Sequence, residues 1–222
     1  MDSPTWEAIH QAAWPMALAM LKVTIPLTAI CFVVGLALAL IVALARMSSR
    51  KYFSIPARIF ISVVRGTPLL VQLFLVFYGL GQIGLKIDPY PSAVIAFSIN
   101  VAGYAAEIIR ASILSVPRGQ WEAADTIGMG YSMTLKRIVL PQALRTAVPP
   151  LSNTLLSLLK DTSLASTVLV VEVFHKAQEF AGVNFQYFPL YALAALYYWI
   201  VCFVLSQAQN RLEFRLDRYV AT

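Results

Sequence analysis

With 59% of its 222 residues hydrophobic, only 13% charged and a mean hydropathy of +0.71, the chain is too apolar for a soluble domain, where about a quarter of residues carry charge. The net charge of +6 comes without the clustered basic and aromatic residues of a nucleic-acid surface. The two cysteines and two histidines form no disulfide or metal spacing, so the composition points to an integral membrane protein with no metal site.

A helix needs about 20 apolar residues to cross a bilayer, and five segments qualify, making residues 1–222 a single transmembrane domain with no soluble domain of its own. The tail before the first segment lacks a basic region and a small-residue cleavage site, so it does not read as a cleaved signal peptide, and its Trp6 and Trp14 suit a membrane surface. Span one runs over 23–45, span two over 55–80, span three over 92–114, span four over 144–171 and span five over 188–206. Cys31 and Cys202 fall within spans and read as small apolar fillers. Span two holds Pro68 and span four Pro149-Pro150, which free backbone carbonyls and invite bends.

The connections set the orientation. Arg46, Arg50, Lys51 and Arg58 lie between spans one and two, and Arg110, Arg118, Lys136, Arg137 and Arg145 between three and four. Arg211, Arg215 and Arg218 follow span five, whereas the alternate connections hold only Lys86 and Lys176. Basic residues collect on the cytoplasmic side, so the N-terminus is expected outside and the C-terminus in the cytoplasm.

The third connection, residues 117–143, is more than a tether. Gln120–Ile127 can form two helical turns, Gly128 and Gly130 break them, and Ser132 can cap a second short helix that Pro141 stops. Such a polar knob between spans either lies on the headgroups or meets a soluble partner. Its residues carry a resemblance: Glu122-Ala123-Ala124, Gly128 and the Ile138-x-Leu140-Pro141 ending look like the EAA loop of ABC importer permeases. Residues 65–73, Tyr104-Ala105-Ala106-Glu107, Gly119-Gln120 and Lys160-Asp161-Thr162-Ser163-Leu164 extend the likeness to the polar amino acid permeases, and it looks closest to the cystine importer permeases.

The resemblance implies an all-α, five-helix type I ABC importer permease in the bacterial inner membrane, with the loop as a coupling helix. Glu122, Ala123, Ala124, Gly128, Ile138, Leu140 and Pro141 would then dock on a cytoplasmic ATPase dimer. The other implied partners are a second permease copy or paralogue, an extracytoplasmic amino acid-binding protein and membrane lipid. No G-x-x-x-x-G-K-[ST] loop occurs in the chain, so ATP and magnesium are expected on the partner ATPase, with no cofactor and no catalytic residue here.

Ionisable residues within spans are costly and mark candidate function. Arg65 lies about ten residues, roughly 15 Å, into span two from the cytoplasmic side, and Glu107 roughly 10 Å into span three. Their depths overlap, so an Arg65–Glu107 ion pair is expected, serving transport or only cementing the bundle. Lys160 and Asp161 point about 100° apart near the middle of span four. Together with Thr162 and Ser163 they either line a polar cavity, one charge for a carboxylate and one for an ammonium, or bond to neighbouring helices. Thr67, Gln72, Asn100 and Tyr104 are neutral groups able to complete a substrate pathway. The competing class is an ion-coupled secondary amino acid transporter or channel, which often carries inverted repeats that are absent from this sequence.

Overall fold

The computed structural model describes residues 3–217, with side chains described for 5–215; Asp2 and Arg218 lie outside that range. Among the described residues there are helices and connections and no strand. The first helix, α1 (Ser3–Ala19), passes through a π turn at Met20–Thr24 into α2 (Ile25–Met47). Residues Thr5–Met47 make one rod of 43 residues, about 64 Å long against a hydrocarbon core of about 30 Å. The helix therefore begins twenty residues before the expected span one, which coincides with α2 alone. The extra length has an apolar seam of its own: Ala8, Ala12, Met16 and Ala19 pack with Val173, Ala177 and Ala181 of α10 (Val173–Asn184) and with Leu190 and Ala194 of α11 (Tyr187–Asp217).

Span two is broken. Helix α3 (Lys51–Gly66) ends at Thr67, and the chain restarts after Pro68 as α4 (Leu69–Phe74), continuing to α5 (Leu80–Gln82); the axis bends by 108° between α3 and the segment Leu69–Gln82. Proline disfavours the helical region at its preceding residue, and Thr67 is extended, at φ −120° and ψ 145°.

Helix α6 (Pro89–Leu114) is the centre of the molecule, contacted by α2, α3, α4 and α9 (Leu140–Asp161). It runs parallel to α2: the Cys31 thiol donates to the Val94 carbonyl at 3.9 Å, and Gly35 faces Ser98 and Val101. Two glycines set how closely its neighbours approach. A β-carbon built on Gly35 would lie 2.6 Å from Val101 Cβ, and one on Gly103 2.6 Å from Val64 Cγ1. We expect Gly103→Ala to lower the melting temperature of the purified protein, since overpacking a core costs about 1–3 kcal/mol. Adding Val64→Ala should return most of that loss, and no return would mean the α3–α6 contact is not what limits the site.

Between α6 and α9 lie α7 (Arg118–Thr126) and α8 (Tyr131–Thr134), then a π turn at Leu135–Val139 that runs without a stop into α9. Here two expectations are corrected. Ser132 makes no cap, because the helix starts after the extended Gly130, and Pro141 does not end it. Pro141 lies just past the π turn, where the regular ladder of backbone bonds is already interrupted, so its missing N–H ends nothing. Pro149-Pro150 leave α9 continuous as well. Among the described residues, three helices are long and apolar enough to cross a membrane, and two bent pairs, Lys51–Gly66 with Leu69–Gln82 and Tyr131–Val168 with Val173–Asn184, bring the number to as many as five.

Candidate functional site

A cavity of about 500 Å³ opens where the break in span two meets α6 and α9. Thr67, Pro68 and Leu69 form one wall, Asn100, Val101 and Tyr104 of α6 a second, and Pro150, Asn153, Thr154, Ser157, Leu158 and Asp161 of α9 the third. The break is held open by Gln72. Its Nε2 donates to the Val64 carbonyl at 2.7 Å and to the Thr67 carbonyl and hydroxyl at 3.2 and 2.9 Å. Its Oε1 accepts from Asn100 Nδ2 at 3.2 Å. Carbonyls freed by Pro68 thus find a donor inside the protein, as non-helical backbone at membrane depth requires. Gln72 lies behind the wall, fixing the face that Asn100 turns to the cavity.

Asn153, Ser157 and Asp161 recur every fourth residue, which stacks them on one face of α9. Thr154 donates to the Pro150 carbonyl at 2.9 Å, and Gln209 of α11 donates to Asn153 Oδ1 at 3.4 Å. Four of the ten residues expected along a substrate pathway therefore line this cavity: Thr67, Asn100, Tyr104 and Asp161. Lys160 is exposed and is not among the residues that line it. Thr162 is buried with its hydroxyl on the Leu159 carbonyl at 2.6 Å, and the Ser163 hydroxyl donates to the Lys160 carbonyl at 2.8 Å, so both close the last turn of the helix.

The Arg65–Glu107 ion pair does not form. Glu107 instead takes both Nε and Nη2 of Arg110, one turn along its own helix, with the Nε bond at 3.0 Å. Residues three apart on a helix are neighbours, and this local partner wins over one on another helix. Arg65 sits at the last turn of α3 with its guanidinium 5.4 Å from the centre of the Tyr104 ring, a cation–π contact on a ring that also lines the cavity. The α9 residues Asn153, Thr154 and Ser157 escape a reading that looks for charges, although their spacing with Asp161 is visible in the sequence.

At the other end, α7 and the turn after it form a projecting platform. Ala124 is 1% exposed, whereas Glu122, Ala123 and Ile127 face outward. Gly128 takes φ +75°, a left-handed conformation that ends α7. Trp121 stacks on Tyr131 at 5.5 Å, tying α7 to α8. Beneath them Ile113, Val116, Val139 and Ala143 form a small core joined by Met47, Trp121, Leu135 and Leu140. The platform therefore rests on the ends of α2, α6 and α9 at once. Ile138 and Leu140 are half-buried in its base, and Pro141 is exposed.

The model of the family described as "Binding-protein-dependent transport system inner membrane component" matches residues 35–218. The chain belongs to this family. Among these inner membrane components, it is 55% identical over 217 residues to the L-cystine transport system permease protein TcyB of Bacillus subtilis (strain 168), covering 97% of this chain and 93% of that one. It is 38% identical to the octopine transport system permease protein OccM of Rhizobium radiobacter, over 82% of this chain and 78% of the relative. The crystal structure of an amino acid ABC transporter with histidines superposes with a TM-score of 0.87 at 35% identity, covering 90% and 94% of the two chains. The fold is that of a type I ABC importer permease, all-α as expected.

Proposed function

We propose that this chain is the membrane-spanning permease of an ATP-driven importer for L-cystine, with the N-terminus outside and the C-terminus in the cytoplasm. The observation that carries the reading is the 55% identity, over nearly the whole of both chains, to an L-cystine permease. ATP and magnesium belong to a separate ATPase dimer, which grips Glu122, Ala123, Ala124 and Gly128 on the platform. Ile138, Leu140 and Pro141 carry the motion into α9, because they sit where the platform meets that helix. A binding protein delivers cystine from outside, and closing of the ATPases shifts the ends of α2, α6 and α9 to alternate access to the cavity.

Cystine is a double zwitterion. The cavity offers Asp161 to an ammonium, and Asn100, Asn153 and Ser157 as donors to a carboxylate. Arg65 adds positive potential from behind Tyr104. A volume of about 500 Å³ is within the range of small-molecule sites. The stripe of Asn153, Ser157, Lys160 and Asp161 is a poor surface for lipid, which supports a second permease copy or paralogue covering it.

Uptake of labelled cystine into liposomes holding permease, ATPase and binding protein tests this. Uptake is expected only with ATP, and excess unlabelled cystine should compete where arginine and glutamine do not. Transport of another polar amino acid in place of cystine would sink the substrate. Ion-driven uptake by this chain alone would sink the ATP-driven mechanism and favour the secondary transporter.

A further inference from the structure

Helix α11 continues past the expected span five, and its C-terminal part carries two polar residues that the transport reading leaves unused. Gln209 and Glu213 stand four residues apart, on the same face of the helix. Gln209 Nε2 donates to Glu213 Oε1 at 2.8 Å and to Asn153 Oδ1 of α9 at 3.4 Å. Neither Gln209 nor Glu213 lines the cavity, whereas Asn153 does. The three side chains therefore form a relay that starts on α11 and ends at the cavity wall.

A relay of amides has a direction. A carboxylate accepts hydrogen bonds, whereas an amide donates at one end and accepts at the other, and a half-turn of the side chain exchanges the two ends. Because the Glu213 carboxylate can only accept, it draws the nitrogen of Gln209 toward itself. The same nitrogen meets Asn153, which must answer with its oxygen. The reverse setting of Gln209 would place Oε1 against the carboxylate, two acceptors with no proton between them. Gln209 Oε1 is instead buried and takes no hydrogen bond among the described residues, an unfavourable state that Glu213 outweighs. With Oδ1 committed to α11, what Asn153 has left for the cavity is its Nδ2, which only donates. We propose that Glu213 and Gln209 are positioning residues that set the polarity of Asn153, so that it meets a substrate carboxylate as a donor. They fix which end of one amide is offered and leave the shape of the wall to α9. Their role in transport rests on the reading of the cavity as the cystine site.

Exchanging the two residues tests this on the purified permease–ATPase complex. With Gln209→Glu and Glu213→Gln combined, position 213 donates to position 209, and the carboxylate now at 209 accepts from Asn153. The contact between α9 and α11 survives with the Asn153 amide reversed, so the melting temperature should stay close to the parent's. Equilibrium binding of labelled cystine is nevertheless expected to weaken about tenfold, the effect of one hydrogen bond to a charged group. In an Asn153→Ala background the same exchange should change affinity by less than about twofold, because no amide is left to turn. Parent-like affinity in the exchanged variant, or an equal loss in both backgrounds, would overturn the proposal. Should the exchange fail to fold, Gln209→Leu frees Asn153 to turn either way, and should weaken binding about twofold to fivefold, again only where Asn153 is present. A second measurement needs no substrate. The permease has four asparagines, so in a complex where it alone carries isotope-labelled asparagine the Asn153 side-chain amide is identified by NMR as the signal lost in Asn153→Ala. The exchanged variant should move that signal downfield, since one of its protons then bonds a carboxylate. An unmoved signal would overturn the proposal whatever the cargo. Failure of the parent complex to bind cystine, with the signal moved as expected, would count against the cystine reading alone.

Discussion

Asp161→Ala is expected to abolish concentrative cystine uptake while the permease still assembles with its ATPase and the complex still hydrolyses ATP at its basal rate. The carboxylate lines the cavity at the end of α9, and among the described residues it is the one acidic side chain there. Hydrogen bonds to charged groups contribute about 1.5–3 kcal/mol, so losing the ammonium contact should weaken cystine binding by about tenfold to a hundredfold or more. Asp161→Asn keeps the shape and one acceptor, and should fall between the parent and alanine. Lys160→Ala provides the control. That side chain is exposed and does not line the cavity, so its loss should change affinity by no more than about twofold, within the scatter of surface substitutions. Equal losses at 160 and 161 would show that the cavity does not discriminate between the two and would return the pair to the shared role their adjacency suggests.

The contrast between those neighbours shows where sequence reading succeeds in this molecule and where it stops. Apolar stretches and the distribution of Lys and Arg report a one-dimensional property, exposure to lipid or water, and that property survives folding. The break in the Glu122–Pro141 platform is legible because Gly128 is a backbone requirement and does take the left-handed conformation, whereas Pro141, read as a stop, ends nothing. Pairing is a different matter. Glu107 has two arginines in reach, and depth alone favours Arg65 across the helices, whereas the fold brings Arg110 to it along one turn. Gln72 reads as a pathway residue until the break at Thr67 is seen, and then its amide is accounted for by the carbonyls that Pro68 releases. Prolines themselves give opposite results. Pro68 breaks its span because Thr67 becomes extended, while Pro149-Pro150 leave α9 continuous. Glu172 gives no signal at all in one dimension. It stands in the apolar run 168–174 at the expected end of span four, and only the return of α11 past the bend shows that Tyr198 meets it.

Neighbouring alanines in the platform should give opposite kinds of failure. Ala123→Phe places a ring on the outward face of α7, beside Glu122 and Ile127, where nothing in this chain is displaced. The permease should express, purify and melt as the parent does. Its recovery with the ATPase should nevertheless fall steeply, because a substitution at the centre of a docking surface costs about 2–4 kcal/mol, or roughly 30-fold to 1,000-fold in affinity. ATP-driven uptake should fall with it. Ala124→Phe enters the other side of the same helix turn. Ala124 is 1% exposed, so the ring must displace the packing between α7 and the core that carries Trp121, Val139 and Leu140. Overpacking of this kind costs about 1–3 kcal/mol within the permease itself, and the loss should appear as a lower melting temperature before any partner is added. Two cheap measurements, a thermal melt of the permease and co-purification with the ATPase, separate the cases. Should Ala123→Phe retain full ATPase binding and uptake, the outward face of α7 would not be the coupling surface, and the role assigned to Glu122 and its neighbours would have to move elsewhere on the platform.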